Sequence, residues 1–301
     1  MARMRCGIAG LASAIGSRRP IEELALHEGA TPERIQALKA VGHSHFLRSS
    51  ESFGDLWRQA ADRALEGAGV GPGDLEAVLV STLGGAIALP DTVQSGPMAK
   101  VWTLSLTTQN CSADIAALYI GSRLMRADRP TNVLIVTGGF GAAERFGSGS
   151  GVVMGDAMAS CVLTSGRHEL ELVACELLSD AALDTVPAPS GQARHFARTA
   201  AALDEVVGRA LAGAGLGAAD IGQVFCTSGN ALCFDFLASV AGLPIERLFR
   251  RNFEIHGHVF CADNFLGLKT YLEGVQAPAA EHLLMVSWAK ATLAAAVLRR
   301  I

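Results

Sequence analysis

No run of lysine or arginine occurs in this chain, whose 25 basic and 29 acidic residues leave a formal charge of −4. A phosphate backbone is gripped by dense positive charge, so the sequence argues against a nucleic-acid partner. Long apolar runs are also missing. None reaches the roughly 18 residues of a membrane span, and Met1-Ala-Arg-Met-Arg-Cys6 is not followed by a signal-peptide core, so a cytoplasmic protein without a membrane partner is expected. The seven cysteines (6, 111, 161, 175, 226, 233 and 261) are odd in number and contain no Cys-x-x-Cys pair. Neither a disulfide framework nor a zinc centre is indicated; no metal and no cofactor is expected, and most of the thiols belong in a core. Aromatic residues make up only 6% of the chain, which is low for the size of its core.

Hydrophobic residues, by contrast, are half of the 301, and 33 are glycine, a composition suited to tightly packed helices rather than to disorder. Helical and strand-like stretches alternate. Residues 5–14 read as a first strand, residues 20–50 as helical with Thr31 capping Pro32, and 57–66 as an amphipathic helix stopped by Gly67 and Gly69. Residues 75–81 and 132–139 are apolar and β-branched, the pattern of buried strands. The run Arg63-Ala-Leu-Glu-Gly-Ala-Gly-Val-Gly-Pro-Gly-Asp74 returns as Arg209-Ala-Leu-Ala-Gly-Ala-Gly-Leu-Gly-Ala-Ala-Asp220, at an offset of 209 − 63 = 146 residues. That distance is too long for a solenoid repeat and predicts two similar α/β halves, 1–178 and 199–301, joined through a Pro- and Ser-containing surface loop over 179–198.

Cys111 is the residue the chain is organised around. It stands where an extended segment gives way to a helix over 112–126 that is apolar around most of its circumference and therefore buried. Unpaired N–H groups and the positive end of the macrodipole favour a thiolate at such a helix start, and a structural core thiol is the alternative. A base is offered by His256-Gly-His258, directly before a second apolar helical stretch. Asp263 is close enough in sequence to orient an imidazole, although capping the following helix is the commoner role for such an acid.

Around Cys111, residues 132–139 and the Gly155-Asp156 turn, the chain resembles the thiolase-fold condensing enzymes, most closely the β-ketoacyl-acyl carrier protein synthase III group. The resemblance implies a thiolase-like α/β fold of two pseudo-duplicated halves, a homodimer, and an acyl carrier protein or acyl-CoA as donor. It also implies Cys111 as nucleophile and places His258 on the group's catalytic asparagine. Departures matter as much. Where the group has its other catalytic histidine this chain has Ser228, with Asn230 nearby as a substitute donor, and serine has no protonatable ring. Where the group has a glycine-rich loop shaping the oxyanion hole, this chain has Trp288, Ala289 and Lys290. Leu89 opens a stretch matching the loop that reaches a partner's pocket, and Arg247, Arg250 and Arg251 form a basic cluster for a carrier.

The expected activity is acyl transfer through Cys111 to an acceptor in specialised polyketide or fatty-acid-derived metabolism, without malonyl decarboxylation. The alternatives are carbon–carbon condensation and a non-catalytic subunit of a ketosynthase heterodimer.

Overall fold

The computed structural model describes residues 5–83, 96–125, 129, 131–140, 145, 151–184, 189–227, 229–274 and 280–301. Eleven strands and seven helices of six residues or more carry the fold among them. The strands are β1 (Gly7–Ile15), β2 (Ser17–Pro20), β3 (His45–Arg48), β4 (Leu75–Leu83), β5 (Trp102–Ser105), β6 (Asn132–Gly139), β7 (Ala157–Thr164), β8 (Leu170–Ser179), β9 (Ile221–Cys226), β10 (His282–Ala289) and β11 (Thr292–Arg300). The helices are α1 (Glu23–Glu28), α2 (Pro32–Ala40), α3 (Phe53–Ala68), α4 (Ala113–Leu124), α5 (Gln192–Ala214), α6 (Ala231–Ala241) and α7 (Asp263–Gly274).

Nine strands form one sheet in the order β5-β4-β6-β7-β1-β8-β11-β10-β9, and β2 pairs with β3 alone. Outward from the antiparallel β1–β8 seam the two arms repeat. β7 and β11 are each antiparallel to the next strand, β6 or β10, which is in turn parallel to β4 or β9. Even the outermost parallel strand β5 has an echo, a parallel bridge between Val224 and Leu248. This is a mixed α/β arrangement of two pseudo-duplicated arms.

The strands are buried on both faces, so alternate residues enter different cores. Leu79, Val133, Ile135, Leu283 and Met285 join α4 and α7 in one cluster. Val78, Val80, Leu134 and Val136 pack with α3, and Leu284 and Val286 pack with α5. Helices α4 and α7 therefore share one interior layer, and their N-termini are brought together inside the molecule.

Several expectations hold with adjusted ends: the helix after Cys111 spans 113–124 rather than 112–126, and Thr31 caps α2 by accepting from Arg34 N. The 20–50 segment is only partly helical, because Phe46 and Leu47 are buried on a short strand that pairs with 17–20. The expected loop over 179–198 is shorter: a 3₁₀ turn covers Ala181–Leu183 and α5 begins at Gln192. Among the described residues no helix is long and apolar enough to cross a membrane. None of the seven cysteines is in a disulfide, and five of them are buried.

Candidate active site

Cys111 lies in a 3₁₀ turn, Asn110–Ser112, that leads into α4. Asn110 adopts φ 47°, a left-handed conformation that asparagine tolerates better than most residues. Ser112 Oγ donates to Thr292 O at 2.9 Å and ties the turn to the β10–β11 hairpin. The second arm repeats the device: the turn Phe260–Ala262, with Phe260 at φ 57°, leads into α7.

His258 precedes that second turn, and its backbone is held on both sides. His258 N donates to Val153 O at 2.8 Å, and Gly155 N donates to His258 O at 2.9 Å. Glycine is required here: a Cβ on Gly155 would lie 2.3 Å from His256 O, and Gly257 has φ 70° with Val153 O 2.8 Å from where its Cβ would stand. Behind Gly155, the buried Asp156 accepts from Ser49 N at 2.8 Å and from both terminal nitrogens of Arg145, at 3.1 and 2.7 Å. The Gly155-Asp156 turn is thus a bracket for the His258 backbone.

The fold brings Cys111 Sγ to 3.2 Å from His258 Nε2. On the far side of the ring, His258 Nδ1 is 2.6 Å from Asp263 Oδ2, while Asp263 Oδ1 accepts from Val259 N at 2.8 Å. A carboxylate only accepts, so Nδ1 carries the hydrogen and Nε2 faces the sulfur, the orientation a proton acceptor needs. Burial by itself lowers the proton affinity of His258; the Asp263 carboxylate and Cys111 outweigh it and hold the imidazole well above its ordinary range. Cysteine, histidine and aspartate therefore form a relay able to take a proton from the sulfur and hold it. Asp263 gives both oxygens to the His258 segment, so it orients the imidazole.

The other expected residues fall as follows. Ser228 and Leu89 lie outside the described residues, as does the rest of the Leu89–Gln94 stretch. Asn230 caps α6, its Oδ1 accepting from Leu232 N at 3.0 Å. Trp288 is half-buried among the α5-side apolar residues, its backbone N donating to Thr227 Oγ1 at 3.4 Å, and Ala289 closes β10 beside Lys290 at φ 49°. Arg247 does not offer a free guanidinium: Nη1 donates to Ala219 O and Ile221 O at 2.8 and 2.6 Å. Arg250 pairs with Asp235 at 2.6 Å and lies over the Phe234 ring, while Arg251 is exposed.

Two histidines near the relay are neutral at pH 7. His256 faces a small cavity with Phe225, Phe234 and Phe249, and burial pulls it down to about 4. His43, in a segment read from sequence as helix, has Nε2 3.0 Å from Gly229 O; burial lowers it to about 4 against the pull of the Gly229 and Gly151 carbonyls. Sequence reasoning missed His43 because nothing local marks it. It missed the buried Asp114 as well, although a lone acid on an otherwise apolar helix was a signal in plain view.

No protein-family profile matches the chain. It is 26% identical over 264 residues to a β-ketoacyl-acyl-carrier-protein synthase III of Sphingopyxis alaskensis, covering 75% of this chain and 77% of that one. Among solved structures, ChlB3, described as an acyltransferase, superposes with a TM-score of 0.86 at 20% identity, over 99% of this chain and 98% of that one. The 3-oxoacyl-acyl-carrier-protein synthase III of Aquifex aeolicus superposes with a TM-score of 0.81, also at 20% identity, over 98% and 99%. The fold is the thiolase fold of the condensing enzymes. In sequence, the chain is similar to β-ketoacyl-acyl carrier protein synthase III proteins.

Proposed function

We propose that the protein is a synthase III-like acyltransferase that loads an acyl group from a carrier-protein or CoA thioester onto Cys111 and passes it to an acceptor. The contact of Cys111 Sγ with an imidazole fixed from behind by Asp263 carries this reading. In the first half-reaction the Cys111 thiolate attacks the donor carbonyl, the carbon–sulfur bond to the carrier breaks, and the carrier leaves as a thiol after taking the proton held by His258. In the second, His258 Nε2 removes a proton from the acceptor as it attacks the acyl carbon, and Cys111 leaves as thiolate. Serine at 228 and an imidazole oriented as a proton acceptor favour an acceptor that needs no decarboxylation.

Specialised metabolism, a cytoplasmic location and a homodimer belong to the same proposal. Arg251 is the one of the three arginines we retain for carrier docking. The division into halves 1–178 and 199–301 belongs to the proposal as well, although the strand order, in which β8 is the counterpart of β1, favours a boundary before Leu170. Carbon–carbon condensation is the second reading, favoured by the name of the Sphingopyxis relative. Incubation with acyl and malonyl thioesters separates the two: adduct on Cys111 without release of carbon dioxide supports acyl transfer, and Cys111-dependent release from malonyl thioester supports condensation. No adduct with any donor would leave the non-catalytic subunit.

A further inference from the structure

Asp114 lies in the first turn of α4, three residues beyond Cys111, and is completely buried. Its Oδ2 accepts from Asn264 Nδ2 at 2.7 Å and its Oδ1 from Ser287 Oγ at 3.0 Å, while Asn264 Nδ2 is also 2.7 Å from Ser287 Oγ. Asn264 follows Asp263 in the first turn of α7, and Ser287 precedes Trp288 on β10. One closed polar cluster thus joins the helix that presents the sulfur to the helix that presents the carboxylate behind His258. Among the described residues Asn264 Oδ1 is buried with no hydrogen-bond partner, so the amide is oriented by what its nitrogen reaches.

A buried acid in such a cluster is weak evidence for stability, because apolar residues of the same volume do as well. Its place is informative instead: the 3.2 Å contact between sulfur and imidazole survives only while the starts of α4 and α7 keep their register. We propose that Asp114 is a positioning residue for the Cys111–His258 pair, locking the two helix starts through Asn264 and Ser287 and, by its own protonation, setting how readily Cys111 ionises. This rests on the reading of Cys111 as nucleophile.

Burial pushes Asp114 up to about 7 against the hydrogen bonds of Asn264, Ile115 N and Ser287, and Asp263 pushes in the same direction as burial. The other titratable groups that meet its charge are Cys161 on β7 and Cys261 before α7; Cys175 on β8 has its sulfur 3.6 Å from Ile115 O, and Cys111 stands three residues before it. When Asp114 is ionised, its charge opposes the thiolate one helical turn away. When it is neutral, that opposition is gone.

Alkylation of Cys111 by iodoacetamide, followed by intact mass and peptide mapping from about pH 6 to pH 9, tests this without any acyl donor. The wild type is expected to show an inflection near pH 7. Asp114→Asn removes the charge, with the amide oxygen still accepting from Asn264 Nδ2 and the NH₂ donating to Ser287 Oγ, and should lose the inflection and react roughly tenfold faster at pH 8. Ser287→Ala removes one bond that favours the carboxylate, so the inflection should move to higher pH and the rate between pH 7 and pH 8 should rise. Wild-type profiles in both variants, or a wild type that alkylates with no inflection near 7, overturn the proposal and leave the nucleophile standing. Failure of Cys111 to alkylate at any pH overturns the reading beneath it.

Discussion

Replacing Asp263 by asparagine changes one atom and separates the two functions its carboxylate combines. In the native site Oδ1 holds Val259 N at 2.8 Å and Oδ2 holds His258 Nδ1 at 2.6 Å. An asparagine whose oxygen stays on Val259 N turns its NH₂ toward Nδ1, so Nδ1 must become an acceptor and Nε2 must carry the hydrogen toward Cys111. The imidazole then presents a proton to the sulfur instead of taking one. The lost charge-assisted hydrogen bond is worth about 1.5–3 kcal/mol, or about 10- to 150-fold in rate. Burial, no longer opposed by a carboxylate, brings His258 down from its raised range.

The sign for stability follows from the same shift. A histidine raised on folding stabilises most below its unfolded value, near 6.5, and that contribution disappears as pH rises through the folded value. The wild type should therefore lose stability on the alkaline side relative to pH 6 more steeply than Asp263→Asn. The assay is single-turnover acylation of Cys111 by an acyl thioester, read by intact mass, alongside its alkylation across pH. Acylation within twofold of wild type and an unmoved pH profile in Asp263→Asn would refute the relay.

Asp156→Asn should destabilise the protein by about 1.5–3 kcal/mol, because the buried Arg145 loses its bidentate partner and keeps only Glu28, at 3.2 Å, as a counter-charge; a loss below about 1 kcal/mol in urea unfolding contradicts this. Gly139→Ala places a Cβ 1.7 Å from the Phe260 ring, which packs 5.3 Å from His258, so acyl transfer should fall about 100-fold while circular dichroism is unchanged. Full transfer in that variant would show that Phe260 does not set the imidazole. An acid raised on folding costs stability as pH rises from its unfolded value to its folded one. Asp114, displaced from 3.8 to about 7, should thus cost the wild type up to about 4 kcal/mol across that range relative to Asp114→Asn; parallel stability curves for the two proteins contradict it.

What the sequence revealed divides along local and non-local lines. The helix behind Cys111, the strand over 132–139 and the repeated approach from Arg63 and Arg209 are written in local periodicity, glycine stops and a self-match, and they lead to the pseudo-duplicated fold. Cys111 and His258 were legible as a pair because each stands before an apolar helix in its own arm. The contacts of Asp263 with Val259 N and His258 Nδ1 were not legible, because local rules make an acid at a helix start a cap and the imidazole is reached only in the fold. The grip of Arg247 on the Ala219 and Ile221 carbonyls depends on the fold of β9, and a row of arginines in sequence does not reveal it. His43, Asn264 and Ser287 are brought to the site by contacts across more than 20 residues, beyond the reach of any periodicity argument.

The most direct measurement of the account is the mass of the intact protein after brief exposure to a panel of acyl-CoA and acyl-carrier-protein thioesters, with peptide mapping of the product. The relay predicts one acyl group on Cys111 in the wild type, none in Cys111→Ala, and acylation slowed by about two orders of magnitude in His258→Ala. An adduct that persists in Cys111→Ala, or a wild type left unmodified by every donor, would contradict it.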